Sequence, residues 1–286
     1  MLLSLSVLTH AALAADGPSL YFRQTIGAAV YSTGALSATR LELRTPLHRS
    51  DSVVFKATYA GAGVGLQVSP AFVGVGPRIS IAPIDVFDLN LSAARMLYFD
   101  GGLGLMTFDE TSGRTGDQRN ARSDDGFGSG AWVATAEPTL KLKLGPLVAF
   151  GAWAVDLVHL ERPADIVAPY TYEPLRGLVI AFDDVLVEQQ VGLLYDALPE
   201  DGPSLRVGLI GRDRFAVVSG DRTTSAGLMV AARPGIKPAV PTLVAMAQLF
   251  FTDPDREVLS PPNIAIGARW EIDAPLTRSP IPELSP

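Results

Sequence analysis

The sequence predicts an all-β fold: a single antiparallel up-and-down barrel of about twelve strands that crosses a membrane. Two observations lead there. Segments of roughly ten residues alternate apolar and polar side chains, as membrane strands do, and their connections are short at one end and long at the other. The clearest segment runs from Ala131 to Leu144. Trp132, Ala134, Ala136, Leu140, Leu142 and Leu144 share one parity there, and Thr135, Glu137, Thr139, Lys141 and Lys143 share the other. A strand sends successive side chains to opposite faces, so this segment has one greasy and one charged face. In a soluble sandwich the greasy face would meet a second sheet. In a membrane barrel it meets lipid, and the charged face lines the lumen.

Taken in order, the chain opens on an export signal. Leu2, Leu3, Leu5, Val7 and Leu8 begin an apolar stretch, and Ala12-Leu13-Ala14 supplies small residues for cleavage. Residues 1–14 are therefore expected to be a signal peptide, although no Lys or Arg precedes the apolar stretch; the alternative is a buried N-terminal helix. Strands are predicted at about 20–32, 36–48, 52–66, 71–82, 86–99, 131–144, 146–160, 184–197, 203–218, 223–233, 240–252 and 262–272. The connections between them carry turn signals such as Thr33-Gly34, Gly145-Pro146, Gly220-Asp221 and Pro234-Gly235. The barrel is expected over 15–272, followed by a Pro-rich tail, 273–286. No segment reads as a spanning helix, which needs about 20 mainly apolar residues. The longest uncharged stretch, Ala57 to Pro77, is broken by Gly61, Gly63, Gly65, Gly74 and Gly76.

Counting connections gives the orientation. The even-numbered ones are short, and the two long ones, about 100–130 and 161–183, are the fifth and the seventh. Both long loops therefore fall at one rim, and both termini at the other, the asymmetry expected of a membrane barrel. The first long loop mixes Asp109, Glu110, Asp117, Asp124 and Asp125 with arginines. It lacks the ordered spacing of a calcium loop and reads as a solvated segment.

Strand parity turns Arg40, Glu42, Arg44, Arg78, Glu137, Lys141, Lys143, Glu188, Arg206, Arg269 and Glu271 to the inner face, where they would line a pore. Cations outnumber anions there although the whole chain carries a net charge of -7. A passage lined in this way favours anions, because low-dielectric walls focus the local field. The competing reading pairs these charges across the lumen and plugs it.

Several chemistries find no support. The acidic balance argues against nucleic-acid binding, and the absence of cysteine excludes disulfides and thiolate chemistry. No cofactor motif, metal-spaced cluster or nucleophile elbow is present, so no cofactor is predicted. His159, with Asp156, Asp165, Asp183 and Asp184 near it in sequence, is the one candidate for a hydrolase at the outer rim. Parity counts against it, because Asp156 and His159 point to opposite faces.

With these features together, the chain resembles a bacterial outer-membrane β-barrel protein. The final strand, Gly267-Ala268-Arg269-Trp270-Glu271-Ile272, is similar to the closing-strand signal read by the barrel-assembly machinery, carried by Gly267, Trp270 and Ile272. It departs from that pattern at Ala265, where a polar residue is usual, and in the tail that follows. The resemblance implies contact with outer-membrane lipid and lipopolysaccharide. Tyr31, Tyr98, Phe99, Trp132, Tyr195, Phe250 and Trp270 are candidates for the interfacial girdles. The expected function is a narrow passive channel for small, anionic solutes. The alternative is a non-conducting structural or adhesion barrel presenting loops 100–130 and 161–183.

Overall fold

The computed structural model describes residues 17–30, 34–48, 58–101, 104–111, 126–198, 203–235, 240–252 and 262–276. The expected signal peptide, Tyr31, the start of the third predicted strand, Asp117, Asp124, Asp125 and residues 277–286 lie outside them. Fifteen strands are present among the described residues: β1 (Ser19–Val30), β2 (Gly34–Pro46), β3 (Tyr59–Val68), β4 (Phe72–Ile84), β5 (Phe87–Tyr98), β6 (Met106–Phe108), β7 (Ser129–Leu144), β8 (Leu147–Leu160), β9 (Tyr170–Glu173), β10 (Leu178–Ala181), β11 (Asp183–Asp196), β12 (Ser204–Ala216), β13 (Arg222–Arg233), β14 (Thr242–Thr252) and β15 (Asn263–Pro275).

Twelve of them form a closed barrel in the order β1-β15-β14-β13-β12-β11-β8-β7-β5-β4-β3-β2. Each strand pairs antiparallel with its chain neighbours in the barrel, and β1 closes on β15 with Gly27 opposite Gly267. The predicted strand count and connectivity therefore hold. β15 continues past Ile272 to Pro275, because Asp273, Ala274 and Pro275 stay in register with Tyr21, Leu20 and Ser19 of β1. The remaining strands, β6, β9 and β10, come from the two long loops and form a small sheet of their own. Both loops thus meet at one rim, as the parity of connections requires.

The alternation dictates what faces out. Leu193, Leu209 and Leu228 stand in one row across β11, β12 and β13, and all three are more than half exposed. Ile26, Leu41, Val64, Ile79, Leu91, Leu140, Leu157, Leu243 and Ile266 continue the band around the circumference. A soluble monomer rarely exposes a contiguous apolar surface of this extent, whereas a membrane barrel must. The sandwich alternative falls with it: there is one closed wall, and its charged side faces inward.

Glycines let the wall close tightly in places. A Cβ added at Gly76 would overlap the Ala93 carbonyl oxygen on β5. Gly76→Val is expected to force β4 from β5 and to destabilise the barrel by about 1–3 kcal/mol, the usual cost of overpacking. A lowered urea midpoint of the refolded protein checks this; an unchanged midpoint would contradict the close approach. At the opposite rim, Gly145 takes φ 59° in the two-residue β7–β8 turn, a backbone that suits glycine.

Candidate functional site

The inner wall has two unlike halves. On β15 and β1 to β4, the buried and half-buried charged side chains are Arg23, Arg40, Arg44, Arg78 and Arg269 against Glu42 and Glu271. Glu42 is 1% exposed and gathers Arg78 Nε at 2.8 Å, Arg44 Nη2 at 3.0 Å and the Ser80 hydroxyl at 3.1 Å. Arg44 also lies over the rings of Tyr21 and Tyr59, 3.3 Å and 4.1 Å from their centroids, where a guanidinium is favoured by the ring quadrupole. Arg23 Nε sits 2.7 Å from Glu271. Arg40 is half-buried and stands in register with Arg23, a like charge.

The other, on β8 and β11 to β14, presents an apolar inward patch of Val148, Phe150, Leu194, Ile210, Met229, Val244 and Met246, with Ala29 of β1 and Ala265 of β15 adjoining. Sequence parity missed this patch. Met229, Val244 and Met246 share the inner face of their strands with polar residues, and alternation of apolar and polar side chains fades where both faces are apolar.

Every residue predicted for the inner face points inward by strand parity, but their settings differ. Glu137 is buried, and its Oε1 has no hydrogen-bond partner among the described residues. Lys141 pairs with Asp88. Lys143 is exposed at the short-turn rim, 3.1 Å from Asp196, which also takes Arg206. Glu188 accepts from Arg212 Nε at 2.6 Å and lies 3.3 Å from Arg214 Nε. Of the closing-strand residues, Trp270 and Ile272 face outward on β15, and Gly267 faces inward.

At the long-loop end the lumen is occupied by the chain itself. Residues 170–181 form the β9–β10 hairpin, whose Leu178, Val179 and Ile180 are at most 1% exposed. Leu178 and Ile180 pack with Phe72, Met96, Tyr98, Val133, Val158 and Leu186 of the wall. Beneath them Arg176 reaches Asp156 of β8 with Nε at 2.8 Å and Nη2 at 2.5 Å. Glu173 accepts the Tyr98 hydroxyl at 2.8 Å and the Leu175 and Arg176 amides at 2.9 Å and 2.8 Å. Gly177, at φ 67°, turns the hairpin. Burial works against the Arg176 charge, but Asp156 and Glu173 outweigh it and raise its pKa.

A second latch holds the hairpin's outer edge. The Asp184 carboxylate accepts from the amides of Ala181, Val185, Val218 and Ser219 at 2.8–3.3 Å. Asp221 accepts from the Val179 amide at 2.7 Å, and the Ser219 hydroxyl donates to the Val179 carbonyl at 2.7 Å. Neither the Asp156, Glu173 and Arg176 cluster nor the Asp184, Ser219 and Asp221 latch was legible in the sequence, because their members lie on separate strands and turns.

Two of the girdle candidates are corrected. Tyr98 is 2% exposed and bonded to Glu173 inside. Phe250 takes the inward parity of β14, opposite buried Ser225, and its neighbour Phe251 faces out. Trp132 and Tyr195 are exposed on the outer surface as expected.

His159 also faces out. Its Nδ1 is 2.5 Å from Asp183 Oδ1, beside an outward groove of about 430 Å³ lined by Trp132, Leu157, Val185 and Val218. Asp156 is on the inner face with Arg176, so a His159–Asp156 arrangement does not form. Among the described residues no group of three or more His, Asp or Glu is placed to hold a metal ion.

No family model matches the chain, and no curated protein matches its sequence. Solved structures with similar folds include the β domain of the Bordetella autotransporter BrkA, at 13% identity and TM-score 0.46, covering 89% of this chain and 99% of that one. An outer membrane channel from Pseudomonas putida F1 aligns at 13% identity and TM-score 0.38, covering 90% and 94%. Outer-membrane expressed OmpT of Vibrio cholerae aligns at 8% identity and TM-score 0.38, covering 93% and 100%. Similarity at this level bears on no solute or activity. The closed wall, its outward apolar band and its inward charges are the architecture of a twelve-stranded transmembrane β-barrel.

Proposed function

We propose that this protein is a gated, anion-preferring passage through the outer membrane, with the β9–β10 hairpin as its gate. The observation that carries the reading is the charge of the inner wall behind the hairpin, where five arginines face two glutamates over β15 and β1 to β4. Paired charges hold shape, and the surplus sets a positive potential that low-dielectric walls focus on a passing solute. The outward band meets lipid, with lipopolysaccharide at the long-loop rim. Gly267, Trp270 and Ile272 serve the assembly machinery as the closing-strand signal. The passage is passive and performs no chemistry.

Single-channel recording of the refolded chain in a planar bilayer tests this reading. The expected result is a mostly closed state with brief steps, and frequent steps when the hairpin is loosened by Arg176→Met. Reversal potentials under a potassium chloride gradient should show anion preference, and Arg40→Gln should shift them toward cations. A folded, inserted Arg176→Met protein that never conducts would overturn the passage. The occupied outer half of the lumen favours a second reading in that event, a non-conducting barrel that presents loops 100–130 and 161–183.

A further inference from the structure

Inside the barrel, the Arg269 guanidinium makes an ion pair but no hydrogen bond among the described residues. Arg269 is 3% exposed, and its Nε and both Nη atoms have no hydrogen-bond partner among the described residues. The nearby carboxylate oxygen, Glu271 Oε1, is 3.4 Å from Nε. That oxygen is already engaged by Arg23 Nε at 2.7 Å and by the Tyr21 hydroxyl at 3.1 Å. A guanidinium carries five N–H donors, and buried donors are satisfied in nearly all folded proteins. A missing acceptor is therefore the feature to explain. Water could accept the hydrogen bonds, but Arg269 shares Glu271 with Arg23, so water would leave a surplus positive charge in the barrel interior.

The register shows what surrounds the guanidinium. Thr25 of β1 and Thr242 of β14 stand directly opposite Arg269, one on each side. Both share its inward parity; Thr242 is buried and Thr25 half-buried. Two residues further along, Gly27 pairs with Gly267, so at the next inward level of β1 and β15 no side chain projects. A planar cationic fork flanked by two hydroxyl donors and by glycine suits a small oxyanion, whose oxygens accept bidentate bonds from arginine. Chloride offers no such geometry.

We infer that Arg269, Thr25 and Thr242 form a binding site for a small tetrahedral oxyanion of the phosphate class. The site deepens the anion-passage reading by naming its solute, and it rests on that reading for access to the lumen. Equilibrium dialysis of the refolded full chain against inorganic phosphate tests it, both in the wild-type protein and with Arg176→Met, where closure by the hairpin cannot hide the site. One phosphate per chain is expected. Arg269→Gln should weaken binding by about 10- to 100-fold, the range for hydrogen bonds to a charged group. Thr242→Val, which removes a hydroxyl and no charge, should weaken it by about fivefold. Arg269→Lys should recover part of the loss. Heat-dependent gel mobility verifies that each variant is folded.

Absence of binding to both backgrounds, or equal binding by folded Arg269→Gln, overturns the site. The same proteins in a planar bilayer separate its failure from that of the passage. Anion-selective chloride current insensitive to phosphate would remove the site and keep the passage. Phosphate binding that depends on Arg269, without current from any variant, would keep the site and remove the passage.

Discussion

Arg176→Met is expected to release the β9–β10 hairpin about 100- to 4,000-fold more often than in the wild-type protein. The substitution keeps an unbranched, flexible stem and removes the guanidinium with its charge. Asp156 and Glu173 are then left without the cation that both contact, and Glu173 is 1% exposed. Breaking a buried ion pair by deleting one partner costs about 3–5 kcal/mol, and each 1.4 kcal/mol is about tenfold in an equilibrium constant. The absence of cysteine from the chain provides a direct readout. Val179, which is fully buried, is replaced by cysteine, and thiol labelling of Val179→Cys is timed with and without Arg176→Met. Labelling at the same rate in both would mean that the apolar contacts of Leu178 and Ile180, not the ion pairs, hold the hairpin in place.

The second large effect is expected on the outer surface. Leu209 is 62% exposed, in the middle of β12, with Leu193 and Leu228 as its register neighbours. Leu209→Arg is expected to destabilise the barrel by about 2–4 kcal/mol in a bilayer, the cost of a cation at the midplane of the lipid face. On an ordinary wet surface the same change would stay within about 0.5 kcal/mol. Urea titrations of the protein folded into lipid vesicles measure the difference. A stability unchanged by Leu209→Arg would place this face outside the hydrocarbon and undo the membrane assignment.

How much was legible in the sequence can be argued from particular strands. β7 was readable because Glu137, Thr139, Lys141 and Lys143 alternate with apolar residues over its whole length. β8 was readable as a strand but not as a wall of two characters, since Phe150, Ala152 and Ala154 are apolar and inward-facing. The aromatic candidates show the same limit. Tyr98 and Trp132 both sit near strand ends, yet one is inside with Glu173 and the other outside. Parity separates them only once the register is known.

Alternation and connection length are local properties. By themselves they predicted about twelve antiparallel strands in up-and-down order, which positions of each strand share a face, and the rim that carries both long loops; closure of the wall came from the tertiary structure. A side chain's face in a strand depends only on whether its position is odd or even, so the sequence carries that information without knowledge of neighbours. Only the tertiary structure decided what fills the lumen. Arg176 meets Asp156, Asp184 meets the amides of 218 and 219, and the Arg269 guanidinium makes no hydrogen bond among the described residues. These partners are brought together by barrel closure and by a hairpin folding back through the rim, and contacts between separate strands leave no periodic trace along the chain.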